Sequence, residues 1–134
     1  MSLGQAFPVR ASIPDLYEVR GKWTGGGAAA DMTNPDADWS RGIESVKYNA
    51  ATGKYKVKFV DVGQQLVDAS ANVLRDDSGD DPIFAVVIWD SLDLVAKTIE
   101  VEFGGAAILA DIATDTKVCF HFVWARQSPT GAIV

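Results

Sequence analysis

Hydrophobic and polar residues alternate along much of this chain with a period of two, the spacing of a half-buried β-strand. Tyr17, Val19 and Trp23 mark one such segment, interrupted once by Gly21. Tyr55, Val57 and Phe59 mark the clearest one, with Lys54, Lys56 and Lys58 on the opposite face. Ile99, Val101 and Phe103 face inward in a third, with Thr98, Glu100 and Glu102 outward. Residues 42–49 form the partner of 54–61 across Ala50-Ala51-Thr52-Gly53. A four-residue link ending in glycine suits a hairpin with a type I turn and a left-handed residue. Val46 and Tyr48 share a register that Ile43 breaks, which predicts a bulge near Glu44–Ser45.

Three further segments lack so clean a rhythm. Residues 66–74 place Val67, Ala69, Ala71 and Val73 on one side and read as a strand. Ile83 to Trp89 and Lys117 to Ala125 are apolar on both faces, the pattern of strands covered from both sides. Asp90 to Leu94 reads as a turn, and residues 106–116 have room for one short helical turn. Between the strands lie a Gly-, Ala- and Asp-rich stretch over 24–40 and a polar loop over 75–82, Arg-Asp-Asp-Ser-Gly-Asp-Asp-Pro. No long amphipathic helix is present. About seven to eight short strands joined by polar turns predict an all-β fold, an antiparallel β-sandwich or jelly-roll. Residues 1–15 carry no clear period and contain Pro8 and Pro14, so they form an extended N-terminal arm. Residues 16–126 form the single domain, and 127–134 a tail.

Composition narrows the function more than the fold. A length of 134 residues, 48% apolar and 22% charged, suits one globular domain with its own core. The net charge of −6 and a pI near 4.6 disfavour a nucleic-acid backbone as partner, since that needs clustered cations. No apolar run is long enough for a membrane helix, and the first ten residues do not resemble a secretory signal. Cys119 is the only cysteine; inside an apolar run it reads as a small buried hydrophobe.

The candidate chemistry is sparse. His121, the only histidine, stands between Phe120 and Phe122 with no triad signature or nucleophile elbow around it. The Asp76–Asp81 loop has oxygen ligands but not the spacing or terminal glutamate of a calcium loop, and a solvated loop is the simpler reading. Asn34, Asp36 and Asp38 are read the same way. Gly25-Gly26-Gly27 follows a strand but precedes neither Gly-Lys-Ser/Thr nor a helix, so it is a linker rather than a phosphate loop. The lysine row reads as a solvated strand face, with Glu44, Asp61, Glu100 and Glu102 as possible counter-charges. No catalytic, cofactor or metal residues are assigned. Of four tryptophans, Trp89 and Trp124 are expected in the core. Trp39, in a polar loop beside Arg41, suits contact with a partner, packing onto the core or stacking on a sugar.

Three stretches together carry a resemblance: Val19 to Ala30 (VRGKWTGGGAAA), Arg41 to Val46 (RGIESV) and Ala51 to Phe59 (ATGKYKVKF). With Leu109-Ala110-Asp111-Ile112 and Val118 to Trp124, they resemble small virion proteins of tailed bacteriophages over roughly residues 17–125. The resemblance implies a β-sandwich or jelly-roll that decorates or cements the outer surface of the capsid as a dimer or trimer. It implies no enzyme activity and no cofactor, with the major capsid protein as partner and neither nucleic acid nor membrane bound. It carries no contact residues over. The arm, the long loop and the tail are the parts free to grip a neighbour, which makes Phe7, Pro8, Ile13, Trp39, Arg41 and Ile133 the expected contact residues. A tail, fibre or head-fibre module that binds a host-surface glycan is the alternative.

Overall fold

The computed structural model describes residues 15–33, 40–74, 83–105, 111–112 and 116–126. Among these the chain is all-β, with no helix. Its main strands are β1 (Leu16–Thr24), β3 (Ile43–Asn49), β4 (Lys54–Phe59), β5 (Gln65–Leu74), β6 (Ile83–Asp93), β7 (Thr98–Gly105) and β9 (Lys117–Ala125). Two short strands, β2 (Gly27–Ala28) and β8 (Asp111–Ile112), pair only with each other. The seven main strands make two antiparallel sheets, β1-β9-β5 and β3-β4-β7-β6, packed as a β-sandwich.

The core is built from the inward half of each alternating strand. Val19 and Trp23 of β1, Tyr55, Val57 and Phe59 of β4, Ile99, Val101 and Phe103 of β7, and Val118, Phe120, Phe122 and Trp124 of β9 are all buried. Phe59 sits at the centre, edge-on to Phe122 at 4.9 Å and to Trp124 at 5.3 Å. Such T-shaped pairs add to the area term because a ring's positive edge meets a negative face. Gly21 interrupts β1 because a Cβ there would lie 2.8 Å from the Trp23 indole nitrogen. The glycine leaves room for that ring.

The β3–β4 hairpin has the anticipated form. Asn49 pairs with Lys54, its carbonyl accepts from the N–H groups of Thr52 and Gly53, and Gly53 is left-handed at φ +72°. The bulge falls between Ile43 and Ser45. The Gly- and Ala-rich stretch is not a plain loop where it is described. Thr33 bridges Thr24, Met32 is buried and donates its N–H to Val46 O, and Arg41 bridges Arg20. These contacts stitch β1 to β3 and join the two sheets along one side. Residue 42 must be glycine for two reasons: its φ is +89°, and a Cβ would stand 2.9 Å from Val19 Cγ2.

Two segments depart from the sequence reading. Residues 65–74 form a strand, but a register shift between Leu66 and Asp68 turns Val67 outward and buries Leu66 instead. Ala69, Ala71 and Val73 then pack against the core as expected. The larger correction concerns β6. Among the described residues it is an edge strand, paired only with β7, and it continues through Asp93 where a turn was expected, with a register shift between Ile88 and Asp93. The turn follows at 94–97, with Asp93 Oδ1 accepting from the N–H groups of Val95 and Ala96 at 3.0 Å.

Candidate interaction surface

Side chains of β6 alternate between the core and open solvent. Ile83, Ala85 and Val87 pack inward. Phe84, Val86 and Ile88 lie on the outer face, with Phe84 60% and Val86 53% exposed. Trp89 follows at 60% exposure, so its expected place in the core is wrong. On β6 one face of an apolar run is covered by its own sandwich, and the other is left open by the described residues. Phe84 lies directly across from Gly104, and its ring covers that glycine. Covering a bare glycine with a cross-strand aromatic ring is a common way to complete a sheet face.

The rest of this sheet's outer face is charged in ordered rows. Lys54, Lys56 and Lys58 on β4 run beside Glu100 and Glu102 on β7, with Lys56 across from Glu100. Lys54 approaches Glu102 at 3.9 Å, and Lys58 approaches Glu44 of β3 at 3.2 Å. Two of the anticipated counter-charges are therefore in place. Glu102, Lys58 and Glu44 are exposed and Lys54 is half-buried, and such surface pairs contribute little to stability. Across the sheet the sequence is lysine, glutamate, then apolar. On this outer face the exposed apolar side chains therefore lie along β6, while Val60, Val67, Leu74 and Val95 are exposed elsewhere.

The outer face of the three-stranded sheet is polar. Arg20, His121 and Ser70 stand in one row across β1, β9 and β5, and Lys22, Cys119 and Asn72 in the next. They line a shallow open depression of about 570 Å³. Cys119 is half-buried on this outer face, not packed in the core. Arg20 donates to Glu18 at 2.7 Å, and this bond, helped by His121 nearby, holds the Glu18 carboxyl below its usual range. His121 Nε2 lies 3.5 Å from Glu18 Oε1, too long for a good hydrogen bond, and makes no closer hydrogen bond among the described residues. This grid offers donors to a passing ligand but brings a single carboxylate to the histidine, and Arg20 already holds that carboxylate. A base–orienter pair for proton transfer needs closer and less committed geometry. Among the described residues, no group of three or more His, Cys, Asp or Glu side chains is placed to hold a metal ion.

Of the six residues expected to touch a partner, Arg41 is the one described. It is exposed, and its backbone is tied to Arg20 through N–H to O contacts of 2.6 and 3.1 Å. That tie fixes the base of a long side chain pointing to solvent. Phe7, Pro8, Ile13, Trp39 and Ile133 lie outside the described residues, as does the acidic loop 76–81. The apolar edge of β6 was missed by sequence reasoning because a continuous apolar run has the same appearance whether two layers cover it or one. No helix among the described residues is long and apolar enough to cross a membrane. Comparison with protein-family models, with curated proteins and with solved structures finds no match to this chain.

Proposed function

We propose that this protein is a structural component of a tailed-phage virion that decorates the outer capsid surface and cements it by binding the major capsid protein. The observation that carries the reading is the apolar outer face of β6, left open by the described residues of an aromatic-cored sandwich: Phe84, Val86 and Trp89 each keep at least half their surface in water. Exposed apolar surface of this kind marks a protein–protein contact. The outer strand faces of β4 and β7 and of β1 carry charges of both signs, which suits a body that must stay soluble before assembly. The likeness to small phage virion proteins over residues 17–125 supplies the identity of the partner. In this reading the protein is not an enzyme, needs no cofactor, and binds neither nucleic acid nor membrane.

The experiment is to add purified protein to undecorated shells and image them. Density on the outer surface and a higher melting temperature of the shell are the expected results. Shells that remain bare at saturating protein would refute the proposal. Two exposed aromatics on one strand, Phe84 and Trp89, also favour the glycan-binding alternative, because sugars stack on such rings. A glycan array separates the two readings: binding that disappears in Trp89→Ala would move the protein to the tail or fibre.

A further inference from the structure

The edges of the two sheets are not equally protected. β1 is bridged by Thr33 and Arg41, β3 is kinked by its bulge and carries Lys47, and β5 is bulged beside Asp68. Bulges, charges and covering segments are the usual devices that stop an edge from recruiting another strand. Between Ile83 and Ile88 β6 carries neither bulge nor charge: six apolar residues stay in unbroken register with β7 before the register breaks between Ile88 and Asp93, β5 of the other sheet approaches it, and among the described residues no strand is hydrogen-bonded on its other side. Its free row of N–H and C=O groups is a template for one more strand.

The chain carries a segment that fits. Within the arm, Phe7, Val9, Ala11 and Ile13 alternate with Pro8, Arg10 and Ser12, a short run hidden by the irregular residues before it. Backbone N–H groups alternate sides in a strand just as side chains do. Pro8 and Pro14 share the even parity, so every odd residue from 7 to 13 can turn its N–H toward β6 while both prolines face away. Within a sheet proline is confined to the outer side of an edge strand, to strand starts and to bulges, and the first of these is the position required here. The same prolines would then block addition of a further strand.

Reach decides which copy supplies the arm. Asp15 lies where β1 begins, held by Arg126, whose N–H donates to Asp15 O at 2.9 Å and whose guanidinium donates to the carboxylate at 3.0 Å. β6 lies in the other sheet, and β1 and β5 are the two edges of the three-stranded sheet. From β1 the arm must cross β9 and β5, about 10 Å, and then the gap between sheets, about 10 Å more. An extended chain advances at most about 3.6 Å per residue, so Ile13 stays within about 7 Å of Asp15. Residues 7–13 therefore cannot run along β6 of their own body.

We infer that residues 7–13 of a second copy of this chain add to the free edge of β6 as an extra strand, placing Phe7, Val9, Ala11 and Ile13 beside Phe84, Val86 and Ile88. The occupant is the arm of a like molecule, and the contact is β-strand addition. Arm and edge are different surfaces, so the copies join as a reciprocal pair or as a small head-to-tail ring. The inference rests on this chain alone; failure to bind shells would leave it intact.

Proline scanning of the full-length protein, read by sedimentation, tests the parity. Ala11→Pro removes an inward N–H and should weaken self-association about tenfold or more, while Ser12→Pro should leave it unchanged. Equal effects of the two would overturn the inference, as would a protein that stays monomeric at millimolar concentration. A second measurement mixes two differently tagged chains in a Cys119→Ser background, one carrying Val9→Cys and the other Val86→Cys. Mild oxidation should yield the mixed disulfide. A predominance of Val86→Cys homodimers would assign the edge to a second β6 strand instead, and a disulfide formed within single chains of the double variant would show that the arm folds back on its own body. Either outcome refutes the proposal.

Discussion

Phe59 and Gly42 show how different physical causes give single residues large weight. Phe59 is buried and touches two further aromatic rings, so Phe59→Ala removes both edge-to-face contacts and leaves a cavity. The expected cost is about 3–5 kcal/mol, measured by urea denaturation. Gly42→Ala removes nothing; it forces a left-handed φ on an L-residue and presses a methyl against Val19. A cost of about 1–3 kcal/mol is expected by the same measurement. Trp89 gives an optical readout of the β6 surface. Of the three described tryptophans, Trp23 and Trp124 are buried and Trp89 is exposed. At low protein concentration and in a Trp39→Phe background, Trp89→Phe should remove the emission component most accessible to acrylamide; an unchanged quenching profile would contradict the placement of β6.

Glu18 sets a small acid dependence. Arg20, and to a lesser degree His121, keep its carboxyl ionised to lower pH in the folded protein than its ordinary value of 4.5. The folded state therefore releases this proton more readily than the unfolded chain does. The resulting stabilisation is present above pH 4.5 and fades as the pH falls through the lowered value. The pair is exposed, so the effect is modest. Comparison of acid unfolding for wild type and Glu18→Gln should show a shallower slope below pH 4.5 in the variant, and identical slopes would remove Glu18 from the account.

Among the strands, β4 and β6 contrast most. β4 is interior, and its alternation of Lys with Tyr, Val and Phe allows one register, because a slip of one residue would bury the lysines. β6 is apolar at almost every position from Ile83 to Trp89, so its sequence does not say which face is covered. The structure decides: the odd residues through Val87 pack inward, while Phe84 and Val86 remain in water and Ile88 is half-buried. Val86→Lys should then change monomer stability by less than about 1 kcal/mol, since the site is half exposed. The same variant should abolish any contact made through this surface. A large loss of stability would mean that Val86 is covered within the monomer.

For the whole molecule, the alternating segments determined that the chain is all-β, that β1, β4 and β7 turn named residues inward, and that 42–61 is a hairpin with a bulge and a left-handed glycine. Those features are local: a period of two, a turn residue and a parity break can be read without knowing what lies across the gap. Strand order is not local. Whether β6 is central or at an edge depends on which sheet closes over it, and Trp89, Cys119 and Val67 lie where that closure and one bulge put them. The stitching of residues 31–33 and 40–42 between β1 and β3 likewise comes from backbone hydrogen bonds among distant segments, which side-chain pattern does not encode. The sequence thus specified the two-faced strands, because each face meets a different solvent. Tertiary structure alone decided which apolar face was left in water, because that depends on the order in which strands come together.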